Sequence, residues 1–226
     1  MQLPRVVGAV VFDFDGLLAD TESAWHRAEA ALFAARGLRF GAAERAACTG
    51  RSAADVVAVL LHRFGLPADR GLEVEAELLA AVEAQAPQPP RAMPGAIELV
   101  RSLAGRVPLG IASNSSRPAL DENLAAVGLQ PYFDVTVSAD DVEAPKPHPG
   151  CYLDAFRGLG AAATDGVAFE DSDTGAAAAS ASGAFVVAVP PRGRTSPAGQ
   201  HRADSLAAPE LLQWAALVRT RRLATT

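Results

Sequence analysis

The sequence predicts an α/β fold in which a doubly wound parallel sheet carries an inserted block of helices. Three observations predict it. Short valine-rich runs recur between stretches of helical character, the alternation that builds a parallel sheet. From residue 20 to about residue 86 no strand pattern occurs, which marks a helical insert. The apolar runs end in polar clusters, Asp13 and Asp15 after the first, Ser113 and Asn114 after the second, Glu170 and Asp171 after a later one.

Each element has a local reason. Residues 6–12 are apolar or small, rich in valine and closed by the turn at Gly16, as expected of a buried strand. A helix begins at Thr21-Glu22, with Asp20 or Thr21 as its N-cap, and runs to Arg36 before Gly37. Residues 43–48, 52–64 and 72–85 read as further helices, with Ser52 and Pro67-Ala68-Asp69 as start and break signals. Pro87-Gln88-Pro89-Pro90 is a stiff return connector. Beyond it, helices are expected at 94–103, 117–127, 152–159, 174–182 and 208–222, and strands at 109–113, 135–137, 167–169 and 185–189. The basic end, Arg219-Thr220-Arg221-Arg222, reads as a solvated helix terminus.

Composition narrows the function. At 226 residues the chain is one large domain or two modest ones, and its net charge of −6 argues against a nucleic-acid partner held by general electrostatics. No run is long and apolar enough for a bilayer, and Met1 to Arg5 shows no signal-peptide pattern, so no membrane partner and a cytoplasmic location are expected. Cys48 and Cys151, far apart in sequence, read as buried free thiols. Lys146 is the only lysine beside nineteen arginines. A chain that uses arginine everywhere else has a use for a compact ammonium at this one place.

Ligands of an open α/β sheet bind beyond the carboxyl ends of its strands. Those ends supply Asp13, Asp15, Glu170 and Asp171, the hydroxyl of Ser113, Asn114, and Lys146 in a proline-rich loop. Two residues apart on a strand, Asp13 and Asp15 point the same way. Four carboxylates cannot share a pocket ionised without a cation, and an all-oxygen donor set without histidine or cysteine suggests Mg²⁺. A metal and an ammonium would neutralise a phosphate as it meets an anionic nucleophile. One aspartate can attack phosphorus, and the other can exchange a proton with the leaving oxygen.

With DFDG at 13–16, SN at 113–114, KP at 146–147 and EDSxxG at 170–175, the chain resembles the haloacid dehalogenase superfamily over nearly its whole length. It is similar to the branch with a helical cap after the first strand, and within that to sugar phosphatases and β-phosphoglucomutases. The resemblance implies a Rossmann-like core, residues 1–18 and 90–226, with a helical cap domain at 19–89. It implies Asp13 as nucleophile and Asp15 as general acid/base. Ser113 and Lys146 would bind the transferring phosphate, with Asn114 and Gly16 lining it. Asp13, the Asp15 carbonyl, Glu170 and Asp171 would hold Mg²⁺. The expected partner is a small phosphorylated metabolite, and the expected state a monomer.

The cap should choose the substrate, and its candidates are Glu22, Trp25, His26, Arg51 and Ser52. Trp25 reads equally as core, Arg51 equally as solvated, and His26 as a helix-surface residue. In the mutase branch a histidine on the first cap helix assists catalysis. Here Trp25 stands at that position and His26 falls one place later, about 100° around the helix. Ala53 falls where that branch places an arginine for the second phosphate, and the cap has no lysine. These departures favour a phosphatase hydrolysing a sugar or polyol phosphate. A phosphomutase and a non-catalytic phosphometabolite-binding protein are the alternatives.

Overall fold

The computed structural model describes residues 2–85, 90–190 and 197–221. Pro87, Gln88 and Pro89 of the expected connector, and Arg222, lie outside them.

The chain enters through β1 (Val6–Val7) and β2 (Val10–Phe12). Four helices follow, α1 (Glu22–Ala35), α2 (Ala42–Cys48), α3 (Ala53–Phe64) and α4 (Gly71–Gln85). The chain then alternates: α5 (Ala96–Leu103), β3 (Leu109–Ala112), α6 (Arg117–Ala126), β4 (Val135–Val137) and α7 (Gly150–Gly158). It continues through β5 (Val167–Glu170), α8 (Asp173–Ser182), β6 (Phe185–Ala188), β7 (His201–Arg202), α9 (Pro209–Leu217) and β8 (Arg219–Thr220).

Six strands form one parallel sheet in the order β4-β3-β2-β5-β6-β7. From β2 the chain steps outward through β3 and β4, then crosses back to β5 on the other side of β2. The order therefore reverses at β2, where an open sheet places its ligand site. Phe12 is in register with both Ile111 and Phe169, so three strands end level with one another.

Period-two alternation explains why β2 has no polar position. Val10 and Phe12 join an apolar layer with Leu99, Leu103 and Trp214 from α5 and α9. Ala9 and Val11 join the opposite layer with Phe156, Ala178 and Ala179 from α7 and α8. Both faces are covered, as a parallel sheet requires. The α1–α4 block holds a separate apolar cluster, drawn from residues 28–78 and including Phe33, Val56, Leu60 and Leu78. Cys48 and Cys151 are buried free thiols. Among the described residues no helix is long and apolar enough to cross a membrane.

Local expectations needed correction in several places. The strand expected at 6–12 is two strands, parted at Gly8, whose amide turns to donate to the Asp165 carbonyl (2.7 Å). The last helix stops at Leu217, and Arg219–Thr220 pairs in parallel with β1 instead of continuing it. The amides of Arg219 and Arg221 donate to the carbonyls of Arg5 and Val7 (3.0 and 2.7 Å). The basic end is thus partly strand, because β1 leaves a backbone edge to be paired. Helix α5 begins after Pro94, at a left-handed Gly95 (φ 86°) whose added Cβ would lie 2.1 Å from the Ala207 amide. The short β7 carries no sequence signal of its own.

Candidate active site

The level strand ends bring the expected groups together. Asp13 follows β2, and its amide continues the ladder by donating to Phe169 O (3.0 Å). Ser113 follows β3, Glu170 ends β5, and Lys146 arrives from the loop before α7. All four are buried. The Lys146 ammonium, 2% exposed, lies 2.6 Å from Asp13 Oδ1 and 2.7 Å from Glu170 Oε1. Tyr152 donates to the same Glu170 oxygen (2.6 Å).

Burial opposes charge on Lys146, but Asp13 and Glu170 outweigh it and hold its pKa above the ordinary lysine value. Burial pushes Asp13 well up, Lys146 opposes, and the charges of Glu170 and Asp15 add to the rise. One ammonium therefore does not balance the carboxylates that converge here. Asp13, Glu170 and Asp171 each offer an oxygen, all within 4.8 Å of one another. Hard donors so close together and short of positive charge suit a hard divalent cation.

Helix α8 makes room for this cluster. Ser172 caps it by accepting from the Gly175 amide (3.0 Å) and donates to Glu170 Oε2 (3.2 Å). A Cβ on Gly175 would fall 1.9 Å from Glu170 Oε1, so only glycine lets the carboxylate lie against the helix's first turn.

Asp15 is held by three hydroxyls. Thr21 donates to Oδ1 (2.8 Å), and Ser113 and Ser115 donate to Oδ2 (2.7 and 2.8 Å). Ser113 also accepts from the Ser115 amide (2.9 Å). Asn114 joins the loops: its Oδ1 accepts from the Lys146 amide (2.8 Å), and its Nδ2 donates to the carbonyls of Lys146 (3.2 Å) and Gly50 (3.3 Å). Gly16, in the left-handed region (φ 85°), turns the chain back so that its amide reaches Ala19 O (2.8 Å).

A cavity of about 220 Å³ opens above these groups, between the strand ends and the helical insert. Asp13, Asp15, Asn114, Lys146 and Ser172 line its floor, and Trp25, Glu29 and Arg51 line it from the insert. The α2–α3 connector closes directly on the core: Gly50 (φ +70°) is so near Ser172 that a Cβ would sit 2.6 Å from its hydroxyl oxygen.

Several candidates from the insert fall differently from expectation. His26 is not a surface residue: it lines the cavity and its Nε2 lies 3.1 Å from Thr49 Oγ1. Since the Thr49 hydroxyl donates to Arg45 O (2.8 Å), Nε2–H is the donor of that pair. The connector folds over α1 and draws this neighbouring position inward. Ser52 is a helix cap rather than a wall of the cavity, accepting from the Asp55 amide (3.3 Å) and donating to its carboxylate (2.8 Å). Trp25 both lines the cavity and packs on the insert's apolar cluster. Arg51 is exposed at the cavity. Glu22 opens α1, and its side chain lies outside those described.

Other participants were not singled out from sequence. Thr21 looked like an N-cap but makes no side-chain cap bond and serves Asp15 instead. Ser115 lies just beyond the Ser113-Asn114 pair, in a run of hydroxyls ahead of α6 that suits an anion. Tyr152 gave no signal beyond standing near the lone lysine. Glu29 carries no signal that sets it apart from the other glutamates of the insert, yet it is 2% exposed.

Comparison with known proteins agrees with this arrangement. Residues 7–183 match the family described as haloacid dehalogenase-like hydrolase. Validoxylamine A 7'-phosphate phosphatase of Streptomyces hygroscopicus subsp. limoneus is 33% identical over 89% of this chain and 91% of its own. Fructose-1-phosphate phosphatase YqaB of Escherichia coli K12 is 30% identical over 80% of this chain and 95% of its own. The crystal structure of CbbY from Rhodobacter sphaeroides in complex with phosphate superposes with a TM-score of 0.71 at 28% identity, covering 89% and 96% of the two chains. The matched span runs from the end of β1, ahead of the strand that leads into Asp13, to just past the helix that shelters Glu170, and the chain belongs to the haloacid dehalogenase-like hydrolases, as a phosphoric monoester hydrolase.

Proposed function

We propose that this chain is a Mg²⁺-dependent phosphatase of small sugar or polyol phosphates that works through an aspartyl-phosphate on Asp13. One observation carries the reading: Asp13 stands where the cavity, the lone buried ammonium and the acidic cluster meet. The names of the related phosphatases, for fructose-1-phosphate and hexitol phosphates among others, support the substrate class.

An oxygen of Asp13 attacks phosphorus, forming the Asp13–phosphate bond as the bond to the leaving oxygen breaks. Asp15 gives a proton to that leaving oxygen. A water then attacks phosphorus and loses a proton to Asp15, and Asp13 is released. Lys146 stabilises the charge that gathers on the phosphoryl oxygens. The entering phosphate competes with Asp15 for the Ser113 and Ser115 hydroxyls, which hands those donors to the substrate and frees Asp15 for proton transfer. Asp13, the Asp15 carbonyl, Glu170 and Asp171 would hold Mg²⁺, which when bound supplies positive charge to the transferring group. The insert, residues 19–89, acts as a cap that keeps bulk water from the site.

Hydrolysis is favoured over mutase chemistry by the cavity's composition. Ala53 lines it where a mutase would need a cation for a second phosphate, and Glu29 and Glu75 line it too. The test is phosphate release from phosphorylated sugars, polyols, nucleotides and small acids, with Mg²⁺ and with chelator. Release from sugar or polyol phosphates, abolished by chelator and restored by Mg²⁺, is expected. Absence of release from every compound, or release indifferent to chelator, would overturn the proposal.

A further inference from the structure

The Asn114 carboxamide stands where three segments meet: the end of β3, the Lys146 loop and the α2–α3 connector of the insert. The Lys146 amide can only donate, so the Asn114 atom that faces it at 2.8 Å is Oδ1, and this fixes which way the carboxamide lies. Nδ2 then turns its two N–H bonds on two carbonyls, Lys146 O (3.2 Å) and Gly50 O (3.3 Å). No side-chain donor is left for a phosphate, the role expected of this residue from its motif.

Each of these bonds answers a local need. Lys146 stands between Pro145 and Pro147, neither of which has an amide N–H to lend the loop. Asn114 holds Lys146 by its amide and its carbonyl together. The Lys146 amide also contacts the Cys151 sulfur, a much weaker acceptor than an amide oxygen. On the other side, Gly50 brings the connector so close to the core that a Cβ would sit 2.6 Å from the Ser172 hydroxyl oxygen. A carbonyl pressed against the core there gives up water and needs a donor. Nδ2 provides it.

We propose that Asn114 is a positioning residue and not a side-chain ligand of the phosphate. Its carboxamide sets the backbone of Lys146, and the same Nδ2 seats the cap connector over the floor of the cavity. This rests on the phosphatase reading above for the role of Lys146, and goes beyond it by tying the closing of the cavity to the group that meets the phosphate.

Two readouts separate the two contacts. Acrylamide quenching reports the connector, because Trp25 lines the cavity whereas Trp214, the other tryptophan, is 6% exposed in the core. Inhibition of aryl phosphate hydrolysis by inorganic phosphate reports the placing of Lys146. With Mg²⁺ at neutral pH, Asn114→Ala, shown folded by its thermal transition, should quench more than wild type and to the level of Gly50→Ala. The double variant should quench no further, because both changes break one contact, whereas independent sites add. Asn114→Asp keeps the size and an acceptor for the Lys146 amide, but sets a carboxylate oxygen against the Gly50 carbonyl. It should quench like Asn114→Ala, and serves if that variant does not fold. Phosphate inhibition should weaken about three- to tenfold in Asn114→Ala, the scale of one or two lost hydrogen bonds, and by a similar factor in the Gly50→Ala background. Wild-type quenching in a folded Asn114→Ala or Asn114→Asp protein would overturn the inference. So would additive quenching in the double variant, or unchanged phosphate inhibition in Asn114→Ala. If the wild-type enzyme hydrolyses nothing with Mg²⁺ present, the phosphatase reading falls, and quenching still decides whether Asn114 seats the connector.

Discussion

Replacing Lys146 with methionine keeps most of the side chain's length and removes the ammonium. In the native protein that ammonium lies within 2.7 Å of both Asp13 and Glu170, at a position only 2% exposed. Without it two buried carboxylates face each other, with the Tyr152 and Ser172 hydroxyls left as donors to Glu170. Removing one partner of a buried ion pair costs about 3–5 kcal/mol. A domain of ordinary stability, about 5–15 kcal/mol, survives that loss but unfolds at a lower urea concentration. The melt should be run in chelator, so that no bound cation compensates. The kinetic effect is separate. Loss of a preorganised positive group at the site of developing charge costs about 2.7–4 kcal/mol, or roughly 10²–10³ in kcat. Phosphate release from an aryl phosphate with saturating Mg²⁺ reads it. Lys146→Arg should be impaired as well, because a planar fork does not fit a hole shaped for a point charge. A folded Lys146→Met enzyme with kcat within about threefold of wild type, well under the tenfold of 1.4 kcal/mol, would refute the reasoning.

Three further outcomes are expected. Gly175→Ala drives a methyl to 1.9 Å from Glu170 Oε1, so Glu170 must move; the Mg²⁺ concentration for half-maximal activity should rise about 10–100-fold, and an unchanged Mg²⁺ titration would contradict the packing argument. Gly50→Ala meets both a left-handed backbone and the Ser172 hydroxyl at 2.6 Å. It should lift the connector off the core and lower kcat/KM about tenfold or more, and equal kcat/KM would show that this contact does not set the closed cavity. Asp141 concerns stability rather than catalysis. Burial alone would raise its pKa, but hydrogen bonds from the Ser138 amide and hydroxyl and from Arg117 outweigh it and hold the carboxyl below its ordinary value. A depressed carboxylate stabilises the fold above its unfolded pKa of about 4 and loses that effect as pH falls through the folded value. The urea-midpoint gap between wild type and Asp141→Asn should therefore be widest near neutrality and close below about pH 4; a gap independent of pH would contradict this.

Much of the sheet and the phosphate end of the site could be read from residues alone, for a physical reason. A buried parallel strand must be apolar throughout, so the polar residues that close Val10–Phe12 and Val167–Phe169 announce themselves. The lone lysine stood out against nineteen arginines. What escaped depended on tertiary approach. Thr21 has the sequence of a helix cap, and only the turn at Gly16 directs it to Asp15. Ser52 looked equally available to a substrate, and local capping claimed it. His26 reads as a helix-surface residue from its own helix alone, which cannot register a connector arriving from residue 49. Arg219–Thr220 continues a helical pattern, and an open edge at β1 captures it. Glu29 shows the limit most clearly: nothing in a run of alanine, glutamate and arginine distinguishes a carboxylate facing solvent from one walled into a cavity.

The most direct test of the central claim is phosphate release by Asp13→Asn, measured beside the wild-type enzyme with Mg²⁺ and the same sugar or polyol phosphate. The substitution keeps the side chain's shape and removes the nucleophilic oxygen's charge. The account predicts a folded protein with no turnover above the uncatalysed rate. Sustained turnover by that folded variant would contradict the assignment of Asp13 as the atom that takes the phosphate.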